Sequence, residues 1–576
     1  MEFPILTVLA LLPAVGALSL IFLRGTLAKQ VALAVSVLVL VLAIILAIQF
    51  DVGGGMQFTE QARWIALIGA YYALGLDGIG LTLVLLVAIV TPVVIIASWR
   101  DFDDRAASSK RAQNSEVLSS EGRALSSEAR ALSLSRGGAT DRFTGSGRGP
   151  STEPGRDPST DPGRDPLTGS GSTLAPRYGL HVFFGLVLAV EACALFLFLA
   201  TDVFLFYVFF EVILIPMYFL IGGFGPGHGR TYAAAKFLIF GLLGGFVMLA
   251  SVIGLYVQSA NVGEPSYLLS TLSQLPLATG TGRWLFVGFM FAFAIKAPLV
   301  PLHTWLPDAA EESSPGGAVM MVGVMDKIGT FGMIRFCLGL FPEASQWATP
   351  VVLALAVISI IYGAILAIGS RNVMRFIAYT SISHFGFIVL GIFAFTTQSL
   401  VGSTLYMLNH GLSTAALFVA AGYLIRRRGS RDIHAYGGVE RTAPVLAGLL
   451  LFAGLSTLSL PGLSSFVSEF MVLAGTFTRH PVHASVSTLA VVLAALYILI
   501  MYQRTMTGAV RPERPVRVRD VNARERLAMA PLVLLIVVLG VFPKPMLAVI
   551  EPAVSAAMQH VGVTDPPPRV SAEGGR

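Results

Sequence analysis

The sequence predicts an all-α polytopic membrane protein of about fourteen transmembrane helices, and three observations predict it. Only 12% of the 576 residues are charged and 55% are hydrophobic, whereas a soluble domain carries about 25% charged residues. Fourteen apolar runs approach the roughly 20 residues that a helical crossing needs. Basic residues fall on alternate loops between those runs, the pattern of a chain that crosses a membrane repeatedly. The net charge of +6 is modest and does not point to nucleic acid. Cys193 and Cys337 both sit in apolar runs without CxxC spacing. Neither a disulfide framework nor a bound metal or cluster is expected from them.

Residues 1–100 hold the runs 4–23, 30–49 and 77–98. The first lacks a basic leader region and a cleavage site, so it reads as a retained helix. Residues 101–177 are different material, rich in Ser, Arg, Gly and Pro. Two short tandem repeats occur there, LSSEGRA/LSSEARA and STEPGRDP/STDPGRDP, and 11 basic residues balance 11 acidic ones. Too few apolar residues are present to bury a core, so a disordered low-complexity insert is expected. Residues 178–340 carry runs at 179–200, 203–221, 236–258, 284–303 and 316–340. Residues 349–508 carry runs at 349–369, 375–395, 400–425, 443–476 and 484–508. Gly454, Pro461 and Gly462 predict a broken helix in the long run 443–476. Residues 509–576 supply a last helix at 527–548 and a tail.

Arg24/Lys29, Arg100/Arg105, His228/Arg230, Arg371/Arg375, Arg426–Arg431 and Arg504–Arg526 mark one set of loops. The intervening loops are almost free of Lys and Arg; Arg63, Arg283 and Arg479 are minor exceptions. The basic set, with the 101–177 insert, is expected in the cytoplasm, and the N-terminus outside.

The stretch Phe291–Phe336 places Lys296 and Lys327 in neighbouring apolar runs, with Pro298, Pro301 and Pro307 just beyond the first lysine. A lysine in mid-membrane costs about 2.5–3.5 kcal/mol and marks a functional position. The prolines free the carbonyls of Ala294, Ala297 and His303, which survive at membrane depth only inside protein or beside a water-filled cavity. Charge beside broken backbone is the pattern of a polar path.

Glu211 lies in LFYVFFEVILIPMYFLIG without a basic neighbour; a lone buried carboxylate resists ionising unless a cation faces it, and Lys296 and Lys327 are the available cations. Pairing with Lys296 is the simplest expectation. Glu191 is a weaker candidate of the same kind. Lys236, one turn into its helix, is able to snorkel to the interface, and Arg335 reads as an interfacial anchor. Asp326 adjoins Lys327 but points to another helix face, so it is not the expected partner. His384 and His410 lie in consecutive helices amid Tyr379, Ser383, Tyr406 and Thr414, which favours a wet proton relay. His303, near Asp308, Glu311 and Glu312, reads as part of a helix-break cluster without metal-ligand spacing. The glycine-rich 222–229 follows a helix rather than a strand and reads as a turn.

Glu469 follows Pro461 as Lys296 precedes Pro298. The two broken helices stand five runs apart with ionisable groups of opposite sign. Five crossings per unit force inverted topology, so 178–340 and 349–508 read as two inverted five-helix repeats.

At this point the chain resembles the M-type antiporter-like subunit of bacterial NADH:quinone oxidoreductase, respiratory complex I. FYVFFEVILIPMYFLIGGFG, RTYAAAKFLIF, AIKAPLVPLHTWLPDAAEESSPGGAVMMVGVMDKIGTFGMIRF, RFIAYTSISHFGFIVLGIF, LNHGLSTAALFVAAGYL and LPGLSSFVSEF carry the resemblance. The sister L-type and N-type subunits and the Mrp-like sodium/proton antiporters typically have a lysine where this chain has Glu469. The resemblance implies proton translocation coupled to electron transfer from NADH to quinone, in a bacterial inner membrane beside L-type and N-type neighbours. It implies no cofactor in this chain, with FMN, iron–sulfur clusters and quinone elsewhere in the complex. By motif, Glu211 and Lys296 look like the coupling pair, Lys327 and His384 like the central relay, and His410 and Glu469 like the exit side. Lys236, Glu191 and His303 are secondary. An Mrp-like antiporter subunit and a non-transporting structural subunit are the alternatives.

Overall fold

The computed structural model describes residues 3–101, 178–508 and 518–567. The expected insert at 101–177, Asp101 apart, lies outside them. Every predicted apolar run carries helix. The elements are α1 (Ile5–Ser19), α2 (Gly25–Gln49), β1 (Gln57–Ile65), β2 (Ala70–Leu76), α3 (Gly78–Ala97) and α4 (Leu180–Leu199). Next come α5 (Val203–Phe224), α6 (Arg230–Val262), α7 (Thr279–Lys296), α8 (Trp305–Glu312), α9 (Pro315–Leu338) and α10 (Pro342–Gly369). Then follow α11 (Val373–Phe393), α12 (Thr397–Arg428), α13 (Pro444–Thr457), α14 (Ser464–Arg479), α15 (Pro481–Thr505), α16 (Ala523–Val541) and α17 (Lys544–Val561).

Among the described residues ten helices are both long and apolar enough to cross a membrane, or eleven if the bent pair α16–α17 is one span. The helices α1 and α13 are shorter. The expectation of an all-α fold needs correcting: β1 and β2 form an antiparallel hairpin, Gln57 opposite Leu76 and Ile65 opposite Ala70. Its turn closes on Gly69 in the left-handed region, φ 65°, where glycine has no Cβ to strain. The hairpin then serves the helices. Glu60 accepts hydrogen bonds from the Leu6 and Thr7 amides at 2.7 and 3.0 Å, satisfying free N–H groups at the start of α1. The predicted tail is a second correction. It holds α17, which leaves α16 at 72°.

Side-chain caps set several helix starts. Asp202 accepts from the amides of Phe204 and Leu205 at the head of α5. Asn372 caps α11 and Thr396 caps α12. Asn522 and Glu525 form a capping box on α16. Gly429, at φ 72°, ends α12 just after three arginines. In α9, α11 and α12 almost the whole spanning length is buried, whereas α2, α6, α10 and α15 leave most of theirs uncovered. Asp326, Lys327, His384 and His410 stand on these buried helices.

Both predicted breaks are present. α7 stops at Lys296 and helix resumes at Trp305. The freed carbonyls find new donors: Ala294 accepts from the Leu299 amide, His303 from the Leu306 amide and Ile295 from the Trp305 indole, each at 3.0 Å. The second break separates Thr457 from Ser464. Ser459 there holds φ 61° without being glycine, a conformation that costs energy and persists where the surroundings require it.

Candidate functional site: a buried proton relay

Lys327 sits in the middle of α9, just after a π-helical segment, Val319–Met325. The Asp326 amide reaches back five residues to the Met321 carbonyl at 3.1 Å instead of four to Val322. The Val322 carbonyl accepts a hydrogen bond from Lys327 Nζ at 2.6 Å. Single-turn widenings of this kind cluster at functional sites. Lys327 Nζ also lies 2.8 Å from His410 Nδ1, and the Phe385 ring stands 5.1 Å away.

From His410 the polar line runs across α11 and α12 to α14. The rings of His410 and His384 are 5.4 Å apart. His384 Nδ1 is 2.7 Å from the Tyr406 hydroxyl, which donates to Glu469 Oε2 at 2.7 Å. The strained Ser459 donates to the same oxygen at 2.6 Å. All these groups are buried.

Donor counting gives the line a direction. With Lys327 an ammonium, it donates to His410 Nδ1, so neutral His410 carries its hydrogen on Nε2. Tyr406 has one hydrogen and gives it to the Glu469 carboxylate, so its oxygen accepts from His384 Nδ1–H. His384 Nε2 is then an acceptor. Neither Nε2 atom has a hydrogen-bond partner among the described residues, so no direct hydrogen bond joins the two histidines. With these charge states and tautomers, the hydrogen bonds on either side of that step run from Lys327 towards Glu469, the orientation a proton hop requires.

This geometry revises the expected order. His410, placed by motif on the exit side, touches Lys327, and His384, placed centrally, faces Glu469 through Tyr406. Ser383 is not on the line; its hydroxyl donates to the Ile360 carbonyl.

Glu211 and Lys296 are not in contact. Neither carboxylate oxygen of Glu211 nor Nζ of Lys296 has a hydrogen-bond partner among the described residues, although the two charges act on each other electrostatically. Lys296 Nζ stands 4.4 Å over the Phe210 ring, a cation–π contact. Its place at the C-terminal end of α7 also favours a positive charge. The Glu211 carboxylate lies against Gly245 of α6, where a Cβ would collide with it.

The secondary candidates separate. Glu191 is fully buried in α4, with the Thr91 side chain as its polar neighbour. Lys236 Nζ pairs with Asp308 Oδ2 at 2.7 Å, both side chains partly exposed. Asp308 also pairs with Arg375, and Arg375 Nε reaches Glu311 Oε2 at 2.9 Å. His303 packs edge-on against Tyr362, ring centroids 5.1 Å apart. Arg335, expected as an anchor, pairs with Asp77 at 2.8 Å. The glycine-rich turn closes on the Glu312 carboxylate, which a Cβ on Gly227 or Gly229 would strike. Burial raises the Glu312 carboxyl above its ordinary range, against the pull of Arg431.

Two groups gain weight from the geometry. Tyr406, polar company in the sequence, bridges His384 to Glu469. Asp326, not the expected partner of Lys327, is wholly buried, and neither of its oxygens has a hydrogen-bond partner among the described residues. Its sequence signal, a carboxylate inside an apolar run, was the same as that of Glu211.

Residues 200–496 match the family described as NADH:quinone oxidoreductase/Mrp antiporter, TM. NADH-quinone oxidoreductase subunit M of Mycobacterium tuberculosis is 47% identical, over 99% of this chain and 96% of that protein. A chain of respiratory complex I from Thermus thermophilus superposes with a TM-score of 0.77 at 29% identity, covering 97% of this chain and 100% of its own. A chain of the Mrp complex from Dietzia sp. shares the fold, with a TM-score of 0.74 at 19% identity, over 97% and 100% of the two chains. This chain therefore belongs to the NADH:quinone oxidoreductase/Mrp antiporter family, in its M-type branch of antiporter-like complex I subunits.

Proposed function

We propose that this chain is a proton-translocating membrane-arm subunit of NADH:quinone oxidoreductase. The observation that carries the reading is the directed line Lys327–His410–His384–Tyr406–Glu469. Lys296 receives the coupling signal. When Glu211 closes on it, the ammonium is held; when the pair is apart, the amine is free to release its proton. The proton then passes through Lys327 and the two histidines to Tyr406, whose hydroxyl gives one proton to Glu469 as it takes another from His384. No redox group is assigned to this chain; FMN, iron–sulfur clusters and quinone belong to other subunits.

The fold is proposed to cross the membrane fourteen times, with 178–340 and 349–508 as inverted repeats. The matched breaks at Lys296 and before Glu469 support that. The alternation of arginine-rich loops supports an outside N-terminus in a bacterial inner membrane. L-type and N-type subunits are the proposed neighbours. The Mrp-like reading is less favoured, because the likeness to that complex is one of fold while the subunit M relative spans the whole chain.

The test is Glu469→Gln and Lys296→Ala in the assembled complex, with NADH oxidation and proton uptake followed in sealed vesicles. Both rates are expected to fall steeply. Full pumping by an intact complex carrying either variant would overturn the reading in favour of a structural subunit.

A further inference from the structure

Lys296 and Lys327 belong to one path, but no group described so far joins them. Lys327 faces His410 and Phe385 on α12 and α11, while Lys296 lies over Phe210 on α5. Asp326 stands beside the gap. It is wholly buried, and neither of its oxygens has a hydrogen-bond partner among the described residues. Gly329, three residues on and on the same helix face, lies so close to the end of α7 that a Cβ would sit 2.6 Å from the Ala297 amide nitrogen and 2.7 Å from the Phe293 carbonyl oxygen. The Asp326 face of α9 is thus pressed against the turn that ends in Lys296. Asp326 interacts electrostatically with both lysines. A buried carboxylate with no hydrogen bond is costly and is poorly explained as structural support.

We propose that Asp326 is the carboxylate through which Lys296 and Lys327 exchange a proton, an inference that rests on the proton-translocating reading above. The ammonium of Lys296 gives its proton, through intervening water, to the Asp326 carboxylate, leaving a neutral amine and a neutral carboxylic acid. The acid then protonates the neutral amine of Lys327, which becomes an ammonium as the carboxylate is restored. Atoms and charge balance at each step. Neighbouring positions on one helix thereby face the two halves of the path, Asp326 towards α7 and Lys327 towards α12.

The experiment compares Asp326→Asn, Asp326→Glu and Lys296→Ala in the intact complex, following NADH oxidation and pumping in sealed vesicles. Asparagine keeps shape and polarity but does not carry the proton, so a loss of tenfold or more is expected; glutamate is expected to retain at least half the activity. Asp326→Asn pumping at the unsubstituted rate, while Lys296→Ala fails, overturns the role of Asp326 and leaves the functional reading standing. Lys296→Ala pumping normally sinks the functional reading itself. Should Asp326→Asn not assemble, infrared difference spectra of NADH-reduced complex decide. A carboxylic acid band that shifts on Asp326→Glu supports the proposal. Spectra identical for the Asp and Glu forms overturn it.

Discussion

Lys327 Nζ stands 2.8 Å from His410 Nδ1 and 2.6 Å from the Val322 carbonyl, so a buried ammonium has two fixed acceptors and no carboxylate in hydrogen-bonding contact. The Val322 carbonyl is held by the backbone of α9. His410 is the only one of the two that substitution removes directly. Losing one partner of a buried charged group costs about 1–3 kcal/mol. His410→Phe is therefore expected to slow pumping by about tenfold or more. His410→Asn, whose amide oxygen stands near the position of Nδ1, is expected to keep Lys327 paired but to break the onward step to His384. Measured in vesicles, both variants pump poorly. A His410→Phe complex that pumps normally removes His410 from the line.

Tyr406 carries a sharper prediction, because one hydroxyl serves two neighbours at 2.7 Å each. Tyr406→Phe removes an oxygen and nothing else. Glu469 keeps the Ser459 hydroxyl while His384 Nδ1 loses its partner, so the complex is expected to assemble with its stability lowered by about 1–3 kcal/mol. Proton transfer between His384 and Glu469 then has no carrier, and pumping is expected to fall by about tenfold, the scale of one lost relay contact. Unchanged pumping would place the route elsewhere.

Lys236 and Asp308 test whether a secondary candidate conducts or braces. Their contact joins α6 to α8, and Arg375 ties the same carboxylate to α11. The side chains are 21% and 22% exposed, so the pair alone contributes at most about 1 kcal/mol. Asp308→Asn is expected to lower the melting temperature slightly and to reduce pumping less than Glu469→Gln does. In a double-mutant cycle, Lys236→Ala adds little to Asp308→Asn, because its partner is already lost. Strictly additive pumping losses would give Lys236 a role of its own.

How much of this was legible in the sequence follows from what each feature depends on. The helices in the apolar runs and the break after Lys296 are local: apolar length and three prolines decide them, and both are present, although among the described residues ten or eleven helices rather than fourteen are long and apolar enough to cross a membrane. The hairpin was missed because Gln57–Ile65 is mostly exposed on its outer face, so no simple alternation marks it. The helix α17 was missed because its polar residues interrupt the apolar run. The order of His384 and His410 depends on how α11, α12 and α9 are rotated against one another, and chain position does not encode that. Asp326 follows the same rule: its sequence neighbour is Lys327, while the packing of α9 that turns its face towards the end of α7 is not encoded in chain position.

Gly245 offers a last prediction, at the start of the line. Its missing Cβ leaves the place that the Glu211 carboxylate occupies; a methyl group there would overlap a carboxylate oxygen. Within a helix, glycine to alanine ordinarily adds stability, roughly 0.5–1 kcal/mol. At Gly448 nothing lies within 4 Å of an added Cβ, so Gly448→Ala is expected to raise thermal stability slightly and leave pumping alone. Gly245→Ala forces Glu211 to turn aside, which changes its distance to Lys296 without altering either charge. Pumping and NADH oxidation are expected to fall several-fold in a complex that still assembles. Shortening the acid in the double variant Gly245→Ala/Glu211→Asp returns room to the carboxylate and is expected to recover part of the loss. If Gly245→Ala pumps as well as Gly448→Ala, the position of the Glu211 carboxylate does not govern Lys296, and the coupling role of that pair is lost.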